Sequence, residues 1–135
     1  MSNDAHAPFH LRAIDHLVLR VADIERSIDF YCNVIGCTVD RRRPEYDLVH
    51  LRAGASMIDL VRDDGRPRAG DNVDHFCLQI APFDEAALLA HLGKWGVQME
   101  PPIAQRYGAQ GIGRSLYLCD PDGNRVELKE ALQSA

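Results

Sequence analysis

The chain has 135 residues, 46% of them apolar and 26% charged, with a net charge of −5, the balance of one ordinary globular domain. That acidity excludes an electrostatic nucleic-acid binder, which needs a basic face, and no apolar run approaches the roughly 18 residues of a membrane-spanning helix. Residues 1–8 lack a secretory-signal pattern, and Cys32, Cys37, Cys77 and Cys119 show no CxxC spacing. Reduced thiols in a cytoplasmic protein are expected.

In chain order, alternation over 16–21 predicts a strand. Asp23 is placed to cap a helix over 24–35, with Ile24, Ile28, Tyr31 and Ile35 at helical spacing and Gly36 as its stop. Strands are predicted over 37–41, 48–52 and 57–61, and a linker rich in Asp, Gly, Arg and Pro over 62–72. The plan then repeats: a strand over 73–80, a helix from Asp84 to about Trp95 ended by Gly96, and a strand over 97–100. Pro101-Pro102 is expected to break the chain before an irregular, glycine-bearing stretch over 105–114. A strand over 115–119, the turn 120–124 and a strand over 125–129 complete it. Each half reads β-α-β-β-β. The expectation is therefore one α+β domain over 12–130, made of modules at about 12–62 and 73–130. The modules form a curved mixed sheet, a cup with helices on its convex side; residues 1–10 and 131–135 are expected to be flexible termini.

The two halves also match in their chemistry. Ile14-Asp15-His16-Leu17-Val18 opens the first and Val73-Asp74-His75-Phe76-Cys77 the second, while Ile58-Asp59-Leu60 and Val126-Glu127-Leu128 close them. The period of two along a strand sends Leu17, Leu19, Ile58, Leu60, Phe76, Leu78, Val126 and Leu128 towards the helices. It leaves His16, Asp59, His75 and Glu127 on the concave face, where they are expected to converge. Two imidazoles with two carboxylates form a borderline-to-hard site for Ni, Co, Zn, Mn or Fe(II). An ion so held stabilises an enolate-like anion, with Glu127 as general base and Asp59 as its partner. Asp is one methylene shorter than Glu. Without Asp59 the set becomes two histidines and one carboxylate, the pattern of non-haem Fe(II) oxygenases. Arg20, His50, Gln79, Ser115, Tyr117 and Lys129 share the concave parity. His50 and Tyr117 are candidates to donate a proton or hydrogen bond, and Arg106 or Arg114 to meet an anionic group from a segment able to close over the cup. Cys77 faces the cup without a triad around it, and His6, His10 and His91 read as solvent-exposed.

The stretch from Ile14 through Phe30-Tyr31 to Gly36, together with Asp120-Pro121-Asp122-Gly123-Asn124-Arg125-Val126-Glu127-Leu128, resembles the opening and closing modules of the vicinal oxygen chelate superfamily. This group includes glyoxalase I, fosfomycin-resistance proteins, methylmalonyl-CoA epimerase and extradiol dioxygenases. The resemblance implies His16, His75 and Glu127 as metal ligands, with Asp59 at a fourth position usually occupied by Glu or Gln. Arg20 matches a position that helps bind glutathione in bacterial glyoxalase I, whereas the remaining glutathione-holding loops are shortened or unrecognisable here. It also implies a homodimer, with the site either within one chain or assembled from two. The function expected is a metal-dependent, glyoxalase-like isomerase or lyase acting on a small, oxygen-bearing, anionic substrate, without nucleic-acid or membrane partners. An Fe(II)-dependent extradiol-type dioxygenase and a non-catalytic small-molecule-binding protein are the alternatives.

Overall fold

In the computed structural model, which describes residues 13–65, 73 and 75–132, the first alternating segment becomes strand β1 (His16–Val21). Asp23 caps helix α1 (Ile24–Asp29), its carboxylate accepting from the Arg26 amide at 3.0 Å. The helix runs on as a π-helical turn over Phe30–Ile35, so the expected span is filled but its second half is wider than an α-helix. Gly36 ends it at φ 101°, a conformation that strains any residue with a Cβ, and the Cys37 amide closes the end onto the Tyr31 carbonyl. Strands β2 (Thr38–Arg43), β3 (Leu48–Ala53) and β4 (Ser56–Arg62) follow. They form a sheet of order β1-β4-β3-β2, parallel between β1 and β4 and antiparallel elsewhere.

The second module repeats this arrangement. Strand β5 (Phe76–Ile80), helix α2 (Glu85–Lys94), and strands β6 (Met99–Gly108), β7 (Gly111–Cys119) and β8 (Arg125–Glu130) give a sheet of order β5-β8-β7-β6. Asp84 caps α2 through the Ala87 amide at 3.1 Å. The α+β fold of two βαβββ modules is thus present, each module closing a four-stranded mixed sheet of its own. Strand β5 begins one residue after His75. The expected linker reaches into β4 at Arg62, and its residues 66–72 lie outside those described, as do residues 1–12, Asp74 and residues 133–135.

One segment departs from expectation. The prolines at 101 and 102 do not end a strand, and residues 105–114 are not irregular. Strand β6 passes through both prolines and pairs with β7 up to Gly108↔Gly111. The physical reason is position: β6 is the outer strand of its sheet, where a missing backbone N–H is tolerated. A register shift between Glu100 and Ala104 takes up the interruption.

The apolar faces of both sheets meet the helices in one core. Ile28, Phe30, Tyr31 and Val34 from the first helical segment and Leu92 from α2 pack in the same cluster as Leu51, Ile58, Leu60, Leu116, Leu118 and Val126. The turn after β7 fastens one module to the other. The buried Tyr31 hydroxyl donates to Asp120 Oδ2 at 2.6 Å, and Asp122 Oδ1 accepts from the Ala22 amide at 2.9 Å. His91, expected only to face solvent, is exposed yet also reaches the Val34 carbonyl from Nε2 at 2.8 Å.

Candidate metal centre

On the first sheet, His16 stands exposed on the edge strand β1 with a carboxylate at each ring nitrogen. Nδ1 lies 2.8 Å from Asp15 Oδ2, and Nε2 lies 3.9 Å from Asp59 Oδ2. The bond to Asp15 holds the imidazole pKa above its ordinary value, against a smaller opposing effect of burial and with help from the charge of Asp59. Asp59 is 6% exposed, in a row that pairs it with Val18 on one side and His50 on the other. Its Oδ1 is 2.8 Å from His50 Nδ1. A carboxylate only accepts, so the imidazole N–H is the donor.

On the second sheet, His75 Nε2 lies 3.3 Å from Oε1 of the buried Glu127. Glu127 pairs in register with Cys77 and Tyr117, which puts both side chains under the influence of its charge. Burial and the Glu127 charge push the Cys77 thiol up to about 11, so it is protonated at neutral pH and no nucleophile. Tyr117 meets the His75 ring edge-on at 5.1 Å. The guanidinium carbons of Arg125 and Arg106 lie 3.8 and 4.6 Å from its centroid. Its phenol is also raised, by burial and by Glu127, and the two guanidiniums pull it back in part. Arg106 Nη1 is anchored to the Ser115 carbonyl and hydroxyl at 2.8 and 2.9 Å, and Arg125 is forked onto Glu100.

The expected convergence of four side chains is not found within one chain. The tetrad resolves into two pairs, His16 with Asp59 and His75 with Glu127, and among the described residues no group of three or more His, Cys, Asp or Glu is placed to hold an ion. The donors nevertheless suit a divalent cation. Two atoms bound to one ion at about 2.0–2.2 Å sit roughly 3–4 Å from each other, as both pairs do. Each pair offers one nitrogen and one oxygen donor. Arg20 is exposed on the tetrad face of β1, one row beyond, opposite Val61. Lys129 is buried, its ammonium donating to the Gly111 carbonyl at 2.9 Å rather than facing a ligand. Arg114 likewise turns away to Glu85 and Glu130. A cavity of about 460 Å³ opens between the start of α1 and strands β2 to β4, lined by Asp23, Arg42, Leu48 and Arg62, and no tetrad residue lines it.

Sequence reasoning overlooked Asp15 and Arg125. The Asp-His dipeptide at the head of each module was the available sign of the first, and the concave parity of Arg125 that of the second.

Two βαβββ modules, each presenting a histidine beside its opening strand and a buried carboxylate on its closing one, define a duplicated fold with one imidazole–carboxylate pair per module. The chain belongs to the Glyoxalase/Bleomycin resistance protein/Dioxygenase superfamily, whose model matches residues 13–128. A virulence protein of Salmonella typhimurium is 30% identical over 125 residues, 87% of this chain and 83% of that one. Its crystal structure is similar with a TM-score of 0.75 at 27% identity, covering 92% of this chain and all of the other. The glutathione transferase FosA of Serratia marcescens is 28% identical over 121 residues, 87% of this chain and 80% of that protein. A catechol-2,3-dioxygenase of Bacillus subtilis is 30% identical over 122 residues, 85% of this chain; the match spans only 40% of that relative's length. Among the described residues no helix is long and apolar enough to cross a membrane.

Proposed function

We propose that the protein is a divalent-metal-dependent, glyoxalase-like enzyme of the cytoplasm that isomerises or cleaves a small, oxygen-bearing, anionic substrate. Its site is assembled in a homodimer, from His16 and Asp59 of one protomer with His75 and Glu127 of its partner. The observation that carries this reading is the division of the tetrad into two half-sets, each at an open sheet edge. Strands β1 and β5 are terminal in their sheets, and an unpaired strand edge is a ready surface for a second chain.

A cation held there (Ni, Co, Zn, Mn or Fe(II)) would polarise a substrate oxygen and stabilise negative charge beside it. The remaining chemistry belongs to the chain. Glu127 is a buried carboxylate suited to take a proton from a substrate carbon and return it to the neighbouring one, with Asp59 across the site as its partner. Tyr117, kept protonated, donates a hydrogen bond from its hydroxyl to the substrate oxygen. His50, whose Nδ1–H is given to Asp59, presents Nε2 as a further hydrogen-bonding atom for the substrate. The guanidinium planes stacked on Tyr117 give that wall a positive character fitted to an anionic group, with Arg106 and Arg20 as the contacts.

A second reading draws on one feature: Asp59 already gives one oxygen to His50. If Asp59 stays off the ion, two histidines and Glu127 make the facial set of an Fe(II) dioxygenase. Oxygen uptake that requires ferrous iron, with none under Zn or Ni, would select it.

The test of the assembled site is complementation. His16→Ala and Glu127→Ala proteins are each expected to bind no metal. Unfolding and refolding them together should restore partial binding, because one of the two sites in a mixed dimer carries neither substitution. No recovery in verified mixed dimers would place the site within a chain. No metal in the unsubstituted protein after reconstitution would overturn the enzyme reading altogether.

A further inference from the structure

Resting on that metal reading, we infer that His50 is a positioning residue that aims Asp59 at the ion through the hydrogen bond from its Nδ1. Asp59 is the shortest carboxylate that can serve at this place, and it is buried, so its reach depends on which oxygen is turned towards His16. A carboxylate rotates easily about its last torsion. Of its two neighbours in the sheet row, Val18 on β1 offers no side-chain donor, and His50 on β3 offers one. The His50 Nδ1–H takes Oδ1 at 2.8 Å, and this bond leaves Oδ2 as the oxygen 3.9 Å from His16 Nε2. The bond thus fixes the carboxylate plane, presents a single oxygen beside the His16 ring, and satisfies a group whose burial without a donor is costly. His50 itself is 21% exposed at its side chain, so the bond is partly shielded from competing water. Asp15 does for His16 what His50 does for Asp59, at 2.8 Å on the nitrogen away from the site. Every first-module candidate ligand is therefore oriented by a neighbour, an arrangement that tunes affinity in metal sites generally.

The experiment compares unsubstituted protein, His50→Ala and His50→Asn, titrated with Zn²⁺ by calorimetry and loaded with Co²⁺ for visible spectroscopy. Asn carries an amide nitrogen close to where His Nδ1 stands. His50→Ala is expected to weaken Zn²⁺ binding by roughly 10–100-fold and to change the Co²⁺ spectrum. His50→Asn should retain the unsubstituted affinity and spectrum, with metal-free melting of both variants reported alongside. An unchanged dissociation constant and spectrum in His50→Ala would overturn the positioning role while leaving the metal reading intact. Equal loss in the Ala and Asn variants would reduce His50 to a structural residue, again overturning it. Absence of Zn²⁺ and Co²⁺ binding by the unsubstituted protein would defeat the metal reading and this role together.

Discussion

His16 is the residue whose surroundings are most telling, because it carries an acid on each side of its ring. Asp15 holds Nδ1 and leaves Nε2 turned towards Asp59. Both charges favour the imidazolium, so in the metal-free protein His16 should titrate above its ordinary 6.5. Replacing Asp15 by Asn removes the anion that contributes most, and the His16 pKa should fall towards the ordinary value. Titration of its ring protons by NMR in both proteins checks this; an unshifted pKa in Asp15→Asn would remove Asp15 from the site. Because a metal ligand must be deprotonated, the same interaction implies that ion binding strengthens as pH rises through the His16 pKa.

Among the elements, the β6–β7 hairpin is tied to the rest of its module through β7. Arg114 on β7 donates to Glu130 on β8, to Glu85 at the start of α2 and to the Phe83 carbonyl, and its guanidinium lies 4.9 Å from the Phe83 ring centroid. Beneath the turn, Gly108 leaves room for the Lys129 stem, since a Cβ there would lie 3.1 Å from Lys129 Cε. The Arg114 hydrogen bonds hold the Glu130 carboxyl below its ordinary 4.5. A depressed carboxylate stabilises the fold fully above 4.5 and loses that contribution as pH falls through the lower folded value. Thermal unfolding of Glu130→Gln should therefore lie below that of the unsubstituted protein at pH 7, and the gap should narrow as the pH is lowered below 4.5. A gap that does not narrow with falling pH would mean that Glu130 acts through packing instead of charge.

At the scale of the whole molecule, the two modules are fastened by the 120–124 turn. Asp120 is buried and receives the Tyr31 hydroxyl, the Asn124 amide groups and the Asp122 amide; burial and the Asp120 charge drive the Tyr31 pKa far above its ordinary value. Tyr31→Phe removes one donor to a charged acceptor and is expected to cost about 1.5–3 kcal/mol in urea unfolding. Loss well under that range would show that the Asn124 and Asp122 donors suffice. The fastening joins the helical segment of the first module to the turn of the second, while β1 and β5 each form one edge of their sheets, the edges proposed to meet the partner.

Much of this was legible from residues alone, because it depends on local periodicity. The period of two sorted apolar from ligand-type side chains, and Asp23 with Gly36 and Asp84 with Gly96 bounded the helical segments. The duplication announced a βαβββ module per half, though the single curved sheet expected from it is two four-stranded sheets, one per module. What sequence could not reach was every relation set by which strand lies beside which. The tolerance of Pro101 and Pro102 follows from β6 being outermost, and the His50–Asp59 contact from the register of β3 against β4. The separation of the tetrad into two pairs arises in the same way. Side-chain direction is written into a strand by its own alternation, whereas distance between strands is decided only when sheets are ordered and packed. The chain alone therefore specified which groups share a strand face, and the tertiary structure decided which of them meet.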